Sequence, residues 1–121
     1  MMKVLNNTEV QWDSAVLASR RAASKLNREA CGYLLRDGTM AVCANVAEQP
    51  GRFMFDKAST DEALDAWLDG RLVGIWHSHP NGDPTPSDED WAGHPHGPSM
   101  IILALHEDSF SITVWDEDDR P

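Results

Sequence analysis

The chain has two cysteines in 121 residues, ten basic side chains against twenty acidic ones, and no long hydrophobic run. Cys31 and Cys43 are the only cysteines and form no Cys-x-x-Cys pair. They fit small buried thiols in a reducing compartment, with a single bridge between them left open. Basic residues are scarcest after the first third. Residues 1–40 carry six Lys/Arg and four Asp/Glu, whereas residues 41–121 carry four and sixteen. Binding to nucleic acid depends on cations that neutralise phosphates, so the charge balance argues against that class. An acidic surface favours neutral or basic partners, and a merely solvated acidic face accounts for it equally well. The longest apolar run, Met100–Leu105, is far below the roughly 20 residues needed to cross a bilayer. The first residues, MMKVLNNTEVQWD, lack the apolar core of a secretory leader. The expectation is a cytoplasmic protein without a membrane partner, folded as one domain over residues 1–121.

There is no internal repeat and no low-complexity stretch, and the pattern instead alternates between strands and helices. A short strand is expected at 2–6. Thr8 and Gln11 have the spacing of a capping box, so a helix is expected from there to about 26, with Trp12, Val16, Ala23 and Leu26 as its apolar stripe. Glu29 opens an apolar run, Ala30–Leu35, that reads as a buried strand. Asp37-Gly38 is a hairpin turn, with its partner strand at 39–46. Another strand is expected at Arg52–Phe55. Ser59 and Glu62 suggest a second capping box, Leu64, Trp67 and Leu68 a helical stripe, and Gly70 the helix end. Leu72–His79 reads as a strand and 80–98 as a loop. Ser99–Leu105 and Phe110–Trp115 read as two closing strands before a frayed acidic tail, 116–121. This order predicts an α/β or α+β fold, a single mixed sheet sandwiched by helices.

The chemistry is concentrated in Trp76-His77-Ser78-His79-Pro80, followed by a Pro-rich loop and Ser87-Asp88-Glu89-Asp90. Side chains alternate along a strand, so His77 and His79 share one face, about 6.6 Å apart along the backbone. They can converge on one ion, with a third ligand drawn from Asp88, Glu89 or Asp90. Two histidines and one carboxylate leave a tetrahedral position open, the pattern of catalytic rather than structural zinc. Taken alone, a His-x-His at a strand end is as often two polar side chains and nothing more. His94-Pro95-His96 is such a second pair, read as exposed loop with substrate contact as the alternative. His106 reads as surface and Trp76 as core. Trp91 either walls the pocket or fills the core. Cys31 faces the same side as Glu29 and reads as a small buried side chain.

The order His77-Ser78-His79, with Ser87 eight residues beyond and Asp90 three further, resembles the signature of the JAMM (MPN+, JAB-domain) family. Glu29-Ala30-Cys31-Gly32 is similar to the upstream glutamate element of that family, and the likeness runs along nearly the whole chain. The resemblance implies a JAB/MPN-like fold, with a layering broadly similar to that of the cytidine deaminases. It implies Zn2+ held by His77, His79 and Asp90, selecting Asp90 over its two acidic neighbours. It implies Glu29 as general base and Ser87 as donor to the oxyanion. The substrate implied is the amide bond after the C-terminal Gly-Gly of a ubiquitin-like or sulfur-carrier protein. A phage tail-associated peptidase and a non-catalytic MPN-type protein-binding scaffold are the alternatives. The deaminase motif, with its Pro-Cys-x-x-Cys, and the His-Glu-x-x-His of other zinc proteases are both missing. The short span between Asp90 and the next strand suggests a minimal enzyme that reads a simple substrate tail rather than a polyubiquitin linkage.

Overall fold

The computed structural model describes residues 3–4, 12–26, 28–49 and 51–121. The elements in chain order are β1 (Lys3–Val4), α1 (Asp13–Leu26), β2 (Cys31–Leu35), β3 (Met40–Cys43) and α2 (Lys57–Leu68). Then follow β4 (Leu72–His79), α3 (Asp88–Gly93), β5 (Ser99–Leu105), β6 (Phe110–Trp115) and a 3-10 turn at Glu117–Asp119. Among the described residues six strands form one sheet in the order β1-β6-β5-β4-β2-β3. Only β4 and β5 run parallel, and every other pairing is antiparallel. The α+β architecture is the one expected. The proposed capping box at Thr8 and Gln11 lies outside the described residues, as does the Leu26 side chain.

Central strands are apolar on both faces because each face is covered by helix. On one face Trp76, Ile101, Leu103 and Val114 pack against Trp12 and Ala15 of the α1 segment. On the other, Tyr33 and Leu72 meet Ala63 and Ala66 of α2, and Met100 and Ile102 meet Trp91 of α3. One irregularity sets the register of the site. Leu34 pairs with Gly74 but Leu35 with Leu72, so Val73 is the extra residue of a β-bulge. The bulge resets the alternation, which puts Leu72, Ile75, His77 and His79 all toward the α2 and α3 side.

Four local expectations fail, each for a physical reason. Arg52–Phe55 is not a strand: its one ladder contact is the bridge between Asn45 and Phe55, because the Asn45 amide satisfies the backbone of the loop instead. Asn45 Nδ2 donates to the carbonyls of Glu29 and Arg52, and its Oδ1 accepts from the amides of Ala47 and Met54. Ser59 and Glu62 do not cap α2, which starts two residues earlier after Asp56; Glu62 accepts a hydrogen bond from the Tyr33 hydroxyl. The Leu64, Trp67 and Leu68 stripe faces outward, 53%, 40% and 75% exposed, since α2 approaches the sheet through its two small buried alanines. Gly70 does end the helix, at φ +73°, with the amides of Gly70 and Arg71 on the carbonyls of Trp67 and Ala66. The tail is ordered rather than frayed, because a reciprocal cap between Asp116 and Asp119 and a guanidinium at Arg120 hold it. None of the helices among the described residues is long and apolar enough to cross a membrane.

Candidate metal centre

His77 and His79 sit at the end of β4, an interior strand between β2 and β5. His77 stands opposite Cys31 and Ile102, fully enclosed, and His79 lies near the strand end where the cavity begins. Asp90 comes from α3, a helix of six residues within the segment expected to be loop. That helix starts at Ser87, whose Oγ accepts from the Asp90 amide while Asp90 Oδ2 accepts from the Ser87 amide. This reciprocal cap aims the Asp90 carboxylate back at the strand. Asp88 and Glu89 point elsewhere: both are exposed, and Glu89 pairs with Arg52 at 3.3 Å.

Ligand atoms from His77, His79 and Asp90 lie within 4.8 Å of one another. The two Nε2 atoms are 3.1 Å apart, with Asp90 Oδ1 3.3 Å from the first and Oδ2 3.0 Å from the second. His79 Nδ1 is 2.7 Å from the Asp83 carbonyl and donates to it, which leaves the lone pair on Nε2, the tautomer a metal requires. Two ring nitrogens and a carboxylate facing one another could hold a cation between them. A donor set of two imidazoles and a carboxylate fits a divalent ion with a position to spare. Burial lowers the pKa of His77, which favours the neutral ligand form. Burial alone would raise that of Asp90, but the adjoining His77 and His79 rings and the hydrogen bond from the Ser87 amide outweigh it and hold the carboxylate ionised.

Glu29 lies beside this group, buried, lining with His79, Ser87 and Asp90 a cavity of about 430 Å³. Its Oε1 has no hydrogen-bond partner among the described residues. Burial, then the neighbouring Asp90 charge, pushes its pKa up to about 7. A carboxyl that exchanges its proton near neutrality in a cleft is suited to proton transfer. Its backbone is held on both sides. Asn45 Nδ2 takes the Glu29 carbonyl, and the next amide, Ala30, donates to Ser78 Oγ between the two histidines.

All five residues singled out from the sequence therefore meet at one place, and other neighbours join them. Phe53 stacks on the His77 ring at 4.8 Å and 19°. Asp83 contributes through its main chain, which no side-chain pattern announces. Trp91 is core, packed on Met100 and Ile102. Cys31 and Cys43 face each other across β2 and β3 as free thiols. Burial pushes Cys31 up to about 12, so it stays a thiol. His94 is not the exposed loop residue expected: it is buried, with Nε2 on the Pro98 carbonyl. His96 is exposed and pairs with Glu117. His106 is exposed, as expected.

A solved protein of Desulfitobacterium hafniense superposes with a TM-score of 0.68 at 24% identity, over 89% of this chain and 82% of that one; the likeness is one of fold. A Salinibacter ruber protein, 19% identical over 90% and 81% of the two chains, gives a TM-score of 0.47 and carries no argument. No match was found among curated protein sequences. The family described as prokaryotic homologues of the JAB domain matches residues 11–117, nearly the full length and a span that includes the site. The chain belongs to that family.

Proposed function

We propose that the protein is a zinc-dependent amide hydrolase, an isopeptidase acting after the C-terminal Gly-Gly of a ubiquitin-like or sulfur-carrier protein. The observation that carries this reading is the buried Glu29 carboxyl, its Oε1 without a hydrogen-bond partner among the described residues, in one cavity with His79 and Asp90. A metal site alone can be structural; a proton-transfer group poised beside it is what hydrolysis requires.

His77, His79 and Asp90 would hold the ion. Zinc bound there supplies Lewis-acid polarisation of a carbonyl and acidifies water. Glu29 takes a proton from the attacking water as its oxygen bonds to the scissile carbonyl carbon. It then delivers that proton to the leaving amine as the C–N bond breaks. Ser87 Oγ uses a lone pair to accept from the Asp90 amide, and a hydroxyl keeps its own proton free to donate. That proton is available to the oxyanion, a contribution of about 3–4 kcal/mol in comparable sites.

The test is metal analysis of the purified protein and of Asp90→Ala by mass spectrometry, with hydrolysis of Gly-Gly amide fusions measured with and without chelator. About one zinc per chain, lost in Asp90→Ala, together with chelator-sensitive cleavage, is the expected result. Zinc without cleavage of any such fusion would refute the isopeptidase reading and favour a metal-stabilised binding scaffold.

A further inference from the structure

The third ligand comes from a helix too short to stand alone. Isolated helices need some 12–15 residues for even marginal stability, and α3 has six. Its N-terminus is fixed by the Ser87–Asp90 cap. At its other end the carbonyls need partners, and these come from the C-terminal segment. Arg120 Nη1 donates to the Trp91 carbonyl at 2.8 Å, and Nη2 to those of His94 and Pro95 at 3.0 and 3.3 Å. The guanidinium carbon also lies 5.1 Å from the centre of the Trp91 ring. Arg120 Nε donates to Glu117 Oε1 at 2.9 Å, and Glu117 in turn receives His96 and the Gly97 amide. Only 18% of the Arg120 side chain is exposed.

One planar group therefore ties together the end of the ligand-bearing helix, the 94–97 loop after it and the last turn of the chain. Trp91, which it covers, is the residue next to Asp90 and is locked on Met100 and Ile102. Arg120 lies just beyond the 11–117 span of the family match, whereas the groups that it holds lie within it.

We infer that Arg120 is a positioning residue of the metal centre: by holding α3 at its C-terminal end it sets the aim of Asp90, and with it the affinity for zinc. The inference rests on the metal part of the function proposed above. A lysine cannot replace the group, because one ammonium cannot reach three carbonyls and lie over a ring at once.

Zinc affinity is measured by competition with a chromogenic chelator for the parent chain, Arg120→Ala, Arg120→Lys and Asp90→Ala. Amide hydrogen exchange of the chelated proteins is followed alongside. Groups that orient ligands are commonly worth about 10- to 100-fold in metal affinity. Arg120→Ala is expected to weaken zinc binding by about tenfold or more, and Arg120→Lys nearly as much. Exchange at the Trp91 and His94 amides should quicken while β4 and β5 stay protected. Affinity in Arg120→Ala within about twofold of the parent would overturn the inference. So would an exchange increase of equal size throughout the sheet, which would make Arg120 a general stabiliser. A parent chain that takes up no zinc would remove the function proposed above and this inference with it, whereas a zinc-binding parent with an unaffected Arg120→Ala removes only the latter. If Arg120→Ala does not fold, Glu117→Gln perturbs one exposed partner of the guanidinium. It is expected to show the same local exchange and a loss of about two- to fivefold in affinity, and no change in either overturns the inference.

Discussion

Glu29 is costly to the fold in proportion to its use to the chemistry. Its ordinary value of 4.5 rises to about 7 in the folded chain, so the folded state holds the proton more tightly than the unfolded one. Below pH 4.5 the carboxyl is neutral in both states and costs nothing. From there the penalty grows as pH rises, and above pH 7 it is complete, about 1–2 kcal/mol once solvent screening is allowed for. Glu29→Gln should therefore raise the melting temperature of the chelated protein at pH 8 and leave it nearly unchanged at pH 4. The same variant should keep its zinc and lose about 10²- to 10⁴-fold in turnover. A uniform gain at all pH values would show that the carboxyl does not titrate as described. Glycine at Ser87 removes the hydroxyl but keeps the backbone amide that holds the Asp90 carboxylate. Glycine at an N-cap costs only a few tenths of a kcal/mol relative to serine. Ser87→Gly should then remain stable and metal-bound while losing about 10²- to 10³-fold in kcat, the cost of one oxyanion donor. An unchanged kcat would leave Ser87 as a helix cap alone.

At the scale of elements, the site depends on how closely β2, β3 and β4 approach. Trp76, beside His77, crosses Gly32 to donate its indole N–H to the Ala41 carbonyl at 3.0 Å. A Cβ at Gly32 would stand 1.9 Å from that carbonyl oxygen and 2.4 Å from the indole nitrogen. Gly32→Ala should cost about 3 kcal/mol or more, at the upper end of overpacking effects, read as a loss of midpoint in urea. A cost below about 1 kcal/mol would mean that the three strands yield. These strands are legible in the sequence because burial on both faces leaves unbroken apolar runs at Ala30–Leu35 and Met100–Leu105. The histidine pair is legible because strand alternation makes its geometry a matter of counting. The face of α2 is not, since Leu64, Trp67 and Leu68 have the period of a core stripe while Ala63 and Ala66 make the contact. Periodicity finds a helix without saying which side is covered. In α3 there is too little length for any periodicity, and its one sequence signal is Ser87-x-x-Asp90, a cap whose acid also serves the metal. The Phe53 stack and the Asp83 carbonyl depend on loop paths and main-chain groups, which residue identity does not encode.

Across the whole molecule, the outward face of α2 gains meaning from what lies beside it. Leu64 and Trp67 join Phe53, Met54, Phe55 and Ile75 around a groove of about 520 Å³ that shares Gly51 and Asp90 with the cavity beside Glu29. Trp67 is held there by the loop after α3: a Cβ at Gly97 would lie 2.6 Å from its ring, so that close approach depends on glycine. A substrate whose scissile bond reaches Glu29 has this apolar channel as its next surface, in a chain of net charge −10. Binding energy gained away from the reacting bond lowers KM, and it leaves kcat unchanged when ground and transition states gain it alike. Trp67→Ala removes part of a wall that lies well outside the ligand set. At about 25 cal/mol per Å² of apolar surface, the loss is about 1–2 kcal/mol of uniform binding. KM should rise about tenfold, with kcat and bound zinc held near those of the parent. Steady-state kinetics on a Gly-Gly amide substrate, with metal analysis of the same samples, distinguishes the outcomes. A fall in kcat at constant KM would mean that Trp67 acts on the chemistry through α3, and an unchanged KM would mean that the substrate leaves the cleft by another route.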